Sequence, residues 1–509
     1  MQSSSRVKKS IKNVSYGLLT QAVTIALNFS ARIILVRILG REANGLNGLF
    51  TEVIAMLSLA EMGVGTAIVY SLYKPLAEQD HKKISELMWL FKIAYRIIAA
   101  VVFLIGLALT PFIQYIVKET GYETSYIQMV FLLFVIKTAS SYLFSYKSSL
   151  LIADQKIYIV SNIMAVSRVI CTLFDIVVLL VLKSFVAYLI VAILFNLLAN
   201  ICIAVYAKRQ YPYIHAKDRL PKKECIHILS NIRHIFISKL SGKITNSTDN
   251  ILVSVLVNTV ATGIYSNYAL IMTNIKQVFG QVMNAMAGSF GNLMVTETPL
   301  HCDRIMRRLT FMFFTAGMIF GGGLIASSEP LITLCFGADS LLDTFTLIVC
   351  SYNLFLFILI FPLWHVMSIS GLFAEDKKTS LAGSGINLIV SLILGKVIGM
   401  AGIFIGTSCT ILIQLFWKAH ILYAKRLGLQ SKRYIMELIK MLLLAFVVLL
   451  GEKFLCDRII AGPLIVQFFL RGTASVIISA VVIWLFYGRS SVFEYFYSFI
   501  KGKLKRGKE

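Results

Sequence analysis

The chain has 509 residues, 58% hydrophobic and only 15% charged, with a mean hydropathy of +0.79. Ordinary soluble domains are about 25% charged, so composition excludes a large soluble core and indicates an all-α polytopic membrane protein. The formal charge of +24 could suggest nucleic acid, but the cations sit mostly in short connections at segment ends and not in one exposed patch, which argues against that partner.

A helix crosses the hydrocarbon core with about 20 apolar residues. Residues 1–13 are basic and are followed by a long apolar stretch without a small-residue cleavage site, so they lead into an uncleaved first span. The apolar runs predict about 14 spans in total. They cover 14–38, 46–73, 84–114, 123–146, 157–182 and 184–206, then 228–257, 262–294, 307–335, 343–371, 379–395, 401–424, 434–455 and 463–487. Pro111, Pro330 and Pro362 fall near segment ends or kinks, which membrane helices tolerate when neighbours satisfy the freed carbonyl.

With the N-terminus placed inside, the inside connections and adjoining span ends hold 31 Lys and Arg against 7 outside. Lys and Arg concentrate in cytoplasmic loops, so both termini are expected in the cytoplasm. The longest inside connection, 207–227, carries Lys208, Arg209, Lys217, Arg219, Lys222 and Lys223 with Pro212 and Pro221. It separates two six-span lobes, 1–206 and 228–433, from which 434–487 stands apart as a helix pair and 488–509 as a basic tail. A faint repeat supports two pseudo-symmetric lobes: residues 31–36 align with 248–253, and Gly45 falls near Gly263. Repeated halves around a midplane site are a common transporter plan.

Several cations lie inside the spans: Arg32, Lys92, Arg96, Lys137, Lys239, Lys243 and Lys276. A cation at mid-membrane costs at least about 2.5–3.5 kcal/mol and so faces a partner or a watery cavity. Counted from shared loops, Arg32 and Glu52 lie at similar depth, as do Glu61 and Arg96. These could be structural pairs, or Arg32 and Arg96 could face a central cavity. In the seventh span Lys239, Lys243, Asn246 and Asn250 share one helical face bordered by Asp249, and Lys276 of the eighth reaches the depth of Lys243. Cations outnumber carboxylates there, as a phosphate-binding cavity requires, although snorkelling or helix packing could also account for them.

Tyr265, Asn267, Tyr268, Asn274 and Gln277 could bond sugar hydroxyls or bridge helices. Gly321, Gly322 and Gly323 permit close helix packing, since no Lys-Ser/Thr follows as a phosphate loop requires. The cysteines show no ligand spacing. No catalytic, metal or cofactor motif occurs in a plausible setting.

The pattern resembles the Wzx-type oligosaccharide-lipid flippases of the multidrug/oligosaccharidyl-lipid/polysaccharide exporter superfamily. The resemblance rests on Arg32 with Arg37-Ile-Leu-Gly40, on Glu61-Met-Gly63-Val-Gly65, on Thr248-Asp249-Asn250 with Gly263-Ile-Tyr265-Ser-Asn267-Tyr268, and on Ser289-Phe-Gly291-Asn292-Leu293. It implies alternating access that carries a glycan on undecaprenyl pyrophosphate outward across the bacterial inner membrane, for surface polysaccharide synthesis. It also implies membrane lipids as partners, and with them a polysaccharide polymerase and a chain-length regulator. Arg32 would meet the pyrophosphate, whereas the matching position in the second lobe is Asp249, so charge symmetry is absent.

The resemblance leaves an ion-coupled multidrug exporter of the same fold as an alternative. That exporter would need buried carboxylates for cationic cargo, and Glu52, Glu61, Asp175 and Asp249 are outnumbered by cations. A membrane glycosyltransferase or polymerase would carry a large outside loop, and none of the expected connections is long enough.

Overall fold

The computed structural model describes residues 2–61, 64–118, 120–154, 156–214, 249–459 and 462–506, and every regular element among them is helical. Helix α1 covers Gln2–Leu57 but is two helices joined at Gly40, whose φ of +83° and ψ of −179° break the helical course. Glycine, lacking a Cβ, reaches that φ without steric cost. The connection expected between the first two spans therefore shrinks to a kink. The second expected span is itself interrupted, by a 3-10 turn at Ser58–Glu61, before α2 resumes at Val64–Ala77.

Helix α3, His81–Leu109, is capped by Asp80, whose side chain accepts from the Lys83 amide at 3.0 Å. It ends in a 3-10 turn, Thr110–Tyr115, that contains Pro111. Helices α4 (Thr124–Ala153), α5 (Ile157–Leu182) and α6 (Phe185–Gln210) follow. Two residues join α5 to α6: Lys183, at φ +48°, and Ser184, whose Oγ accepts from the Ala187 amide at 3.3 Å.

The chain continues with α7 (Asp249–Leu256), α8 (Thr259–Thr296), α9 (Pro299–Phe336) and α10 (Thr344–Ile369). Then come α11 (Phe373–Ile398), α12 (Met400–Leu422), α13 (Lys432–Cys456) and α14 (Leu464–Tyr487). Pro330 and Pro362 lie inside α9 and α10 without ending them. The expected basic tail forms a further helix, α15, over Ser491–Arg506. Phe496 of α15 packs on Phe311 of α9, with ring centroids 6.0 Å apart.

Among the described residues, ten helices are long and apolar enough to cross a membrane: α3 to α6 and α9 to α14. Large apolar side chains such as Val181, Val397, Phe469 and Trp484 are exposed on them. Such a surface is stable in lipid and costly in water.

Two compact units divide the chain at Ser266 and Asn267, inside α8 and well after the basic connection 207–227. Residues 215–248, which include most of that connection and much of the expected seventh span, lie outside the described residues. In the first unit α4 packs against α3 and α6, α5 against α6 and α1, and α7 against α1. Its core is built on Phe91, Tyr95, Val102, Leu150 and Ile203. Gly45 and Gly263 meet at one crossing: a Cβ on Gly263 would lie 2.3 Å from the Arg41 carbonyl oxygen, and one on Gly45 2.2 Å from that of Thr259. The glycines that the internal repeat aligns are thus packed face to face. In the second unit α9 is central, flanked by α10, α13 and α14, while α11 and α12 form a hairpin against α10. Gly321 lies against the Ser351 carbonyl and Phe355, and Gly322 against Glu452, so these two glycines serve close packing, whereas Gly323 faces open space.

The turn between α4 and α5 is pinned outside the spans. Asp154 pairs with Lys156 at 2.7 Å and accepts from the Tyr211 hydroxyl at 2.6 Å. Burial works to raise this carboxyl, but the bonds from Lys156 and Tyr211 outweigh it and hold Asp154 below its ordinary value. A depressed carboxyl contributes stability above its unfolded pKa, about 3.9, and loses it as pH falls through the folded value. Asp154→Asn is expected to lower the melting temperature of the solubilised protein at neutral pH. The gap to wild type should start to narrow as the pH drops below about 4 and close only below the depressed folded value. An equal gap at both pH values would mean that the Asp154 charge contributes nothing.

Candidate functional site

The site begins at the Gly40 kink, which returns the chain so that Asn44 lies beside Arg32. The half-buried Arg32 guanidinium donates to Asn44 Oδ1, and Asn44 Nδ2 donates to the Gly263 carbonyl at 2.7 Å. One face of the guanidinium is thereby fixed, which orients the rest of the fork. The pairing with Glu52 expected from depth is not formed among the described residues: Arg32 takes an uncharged partner and keeps its whole charge.

Further positive groups gather nearby in the same unit. Arg168 of α5 holds Asn28 of α1 through Nε at 3.1 Å and a terminal nitrogen at 2.8 Å. Lys137 of α4 lies within electrostatic reach of Arg168 and Asp175. Tyr188 of α6 stands among Arg32, Arg168 and Asp175. Asp175 is buried, and its nearest hydrogen-bond partner is the Cys171 thiol at 3.6 Å, while Oδ1 has none among the described residues. Among the described residues, Lys137 and Arg168 thus face one carboxylate, Asp175, and Arg32 joins the group through Tyr188. A network built only for stability would tend toward neutrality, because an uncompensated buried charge is expensive.

Arg96 belongs to a different group. Its side chain is exposed, and its electrostatic neighbour is Tyr146. Lys92, Lys147 and Lys208 also cluster, with Lys147 Nζ donating to the Ala204 carbonyl at 3.4 Å. The expected Arg96–Glu61 pair is replaced by the preceding residue: Tyr95 donates to Glu61 at 3.0 Å. Glu52 is half-buried on α1.

Lys239, Lys243 and Asn246 lie outside the described residues. Asp249 and Asn250 open α7, the first half-buried and the second buried with Oδ1 lacking a partner among the described residues. Lys276 belongs to the second unit, where Nζ sits 4.3 Å from the centre of the Phe357 ring, a cation–π contact. Of the polar groups on α8, Tyr265, Asn267 and Tyr268 are buried, and Tyr268 accepts from the Leu342 amide at 3.3 Å. Asn274 bonds the Leu270 carbonyl at 2.9 Å, and Gln277 is exposed. Tyr268 thus braces α8 against the turn before α10, while Asn274 bonds within its own helix.

Arg168 is absent from the sequence-based candidates, although it sits well inside the apolar run 157–182 and meets the same criterion that singles out Arg32.

An all-α polytopic membrane protein with an excess of positive charge within its spans, among the described residues, is the class defined by these features. The sequence matches the family described as "Polysaccharide biosynthesis protein" over residues 10–287, more than half of the chain, and the chain belongs to that family. No curated protein matches it in sequence. Among solved structures it is similar to the lipid II flippase MurJ in an inward closed conformation, with a TM-score of 0.65 at 14% identity, covering 92% of this chain and 99% of that one. It is also similar to an inward-facing MATE family multidrug resistance transporter of the MOP superfamily, with a TM-score of 0.59 at 14% identity, over 79% of this chain and 95% of that one. A eukaryotic MATE transporter gives a TM-score of 0.55 at 12% identity, over 84% and 98%. The fold is the one these membrane proteins share.

Proposed function

We propose that the protein is a flippase that moves an undecaprenyl-pyrophosphate-linked oligosaccharide from the inner to the outer leaflet of the bacterial cytoplasmic membrane, for surface polysaccharide synthesis. The observation that carries this reading is the grouping of Arg32, Lys137 and Arg168 around Tyr188 and Asp175, with Asp175 the carboxylate that Lys137 and Arg168 meet among the described residues. A diphosphate supplies the missing negative charge and offers oxygens to the guanidinium fork. A cationic drug would enter against the same field, which disfavours the multidrug alternative. The MurJ likeness supports a lipid-linked cargo and the family supports a glycan.

In this reading the chain has 14 spans in two six-helix lobes, 1–206 and 228–433, with 434–487 as an appended pair, and both termini cytoplasmic. Cargo phosphate is met first by Arg32 with Lys137 and Arg168, while Arg96, Lys239, Lys243 and Lys276, with Asp249 and Asn250, are the further candidates that the sequence offers along the path; the lobes alternate access while the polyprenyl tail stays in lipid. Glu52 and Glu61 are structural or coupling carboxylates. A polymerase and a chain-length regulator receive the product.

The test is reconstitution in sealed vesicles with a labelled polyprenyl-pyrophosphate oligosaccharide on one leaflet. The expected result is protein-dependent exposure of the glycan to an added glycosidase. Transport of a cationic dye without movement of the glycolipid would reverse the assignment in favour of the exporter.

A further inference from the structure

Glu452 of α13 is fully buried in the second unit, with no exposed surface. Its carboxyl oxygens bond to two serines of α14: Ser479 at 2.8 Å and Ser475 at 3.1 Å. Ser475 lies 11 residues into α14, which places the carboxyl about 16 Å along that helix from its start. On the third side it presses on the backbone of α9: a Cβ on Gly322 would lie 2.0 Å from Glu452 Oε2.

The surrounding charges are already matched. Lys453 pairs with Asp457 at 2.7 Å and Glu329 at 3.6 Å. Arg471 pairs with Glu329 at 3.0 Å and Asp457 at 3.4 Å, and its Nε donates to the Ile459 carbonyl at 3.1 Å. Two cations therefore face two carboxylates. Cys456, whose thiol bonds the Arg471 carbonyl at 3.9 Å, is the remaining titratable neighbour on α13. From α10, the Ser351 carbonyl packs against Gly321 and the Tyr352 hydroxyl is directed to the Leu442 carbonyl at 3.5 Å, so neither brings a charge. No countercharge is left for Glu452 among the described residues.

We propose that Glu452 is a proton-binding site, its carboxyl held neutral between α9, α13 and α14. An isolated buried carboxylate is costly enough that the group takes up a proton instead. A protonated carboxyl donates to one serine and accepts from the other, and each hydroxyl can play either role. A metal cation needs several oxygens around an open volume, whereas one side of this carboxyl is closed by the backbone of α9 at Gly322, which favours a proton. Use of this proton to drive transport rests on the flippase reading, but the site itself does not.

Infrared spectroscopy of the full chain in lipid nanodiscs tests the assignment. Wild type is expected to show a neutral-carboxyl carbonyl band at neutral pH, and Glu452→Gln to lose the intensity of one such group. Should Glu452→Gln fail to fold, Ser479→Ala is expected to shift the same band by removing one hydrogen bond. A wild-type spectrum without the band, a band that survives Glu452→Gln or is unmoved by Ser479→Ala, or one that appears only when sodium is withdrawn would overturn the proposal. No cargo enters the measurement, so such a failure would leave the flippase reading intact.

Discussion

Arg32→Ala is expected to cut glycolipid translocation in reconstituted vesicles by roughly 10- to 100-fold, while the protein still inserts and accumulates. A hydrogen bond to a charged group is worth about 1.5–3 kcal/mol, and about 1.4 kcal/mol on a barrier is tenfold in rate. Loss of one guanidinium–phosphate contact accounts for that range. The structural loss is smaller, because Asn44 keeps its bond to the Gly263 carbonyl. Arg32→Lys retains the charge without the planar fork and should recover only part of the rate. Normal translocation by Arg32→Ala would remove Arg32 from the cargo path. Disappearance of the protein from the membrane would instead make the guanidinium a strut for Asn44.

Gly263→Val is expected to eliminate folded protein. The Cβ it adds would meet a backbone oxygen, that of Arg41, at 2.3 Å, so no side-chain rotation relieves the clash. Overpacking of a core side chain usually costs about 1–3 kcal/mol, and a backbone-to-backbone clash lies at or beyond the upper end of that range. Membrane helices rely on small residues for close crossings, since lipid gives them no hydrophobic drive to associate. Gly45→Val should behave alike, with 2.2 Å to the Thr259 oxygen. Wild-type abundance and a monodisperse elution profile for Gly263→Val would show that α1 and α8 do not cross this closely.

Hydropathy recovered most spans because a membrane helix announces itself by length. α5 falls on its expected bounds of 157–182, and α13 and α14 lie within two residues of theirs. The tight hairpins α5–α6 and α11–α12 are expected as separate spans too, although their turns are only two residues and one residue long. Their local chemistry is legible all the same: Ser184 caps a helix, and Gly399 takes a φ of +66°. Depth counting was less successful with the charges. It gives a height and no direction around the axis. Tyr95 and Arg96 stand at nearly the same level but about 100° apart, and it is Tyr95 that meets Glu61. Arg32 likewise finds Asn44 across the Gly40 kink, which no span-by-span count anticipates. Glu452 drew no notice because it sits near a segment end, where an acidic residue is ordinary.

The unequal charge of the two helix clusters has an electrical consequence. The Lys453, Arg471, Glu329 and Asp457 quartet sums to zero and feels no net force from a transmembrane voltage. By formal charge among the described residues, the Arg32, Lys137, Arg168 and Asp175 group carries a surplus of two positive charges, and each charge taken across the whole field is worth about 2.3 kcal/mol per 100 mV. A bound diphosphate neutralises that surplus. The laden transit would then be nearly indifferent to voltage, and the interior-negative potential would act on the vacant return alone.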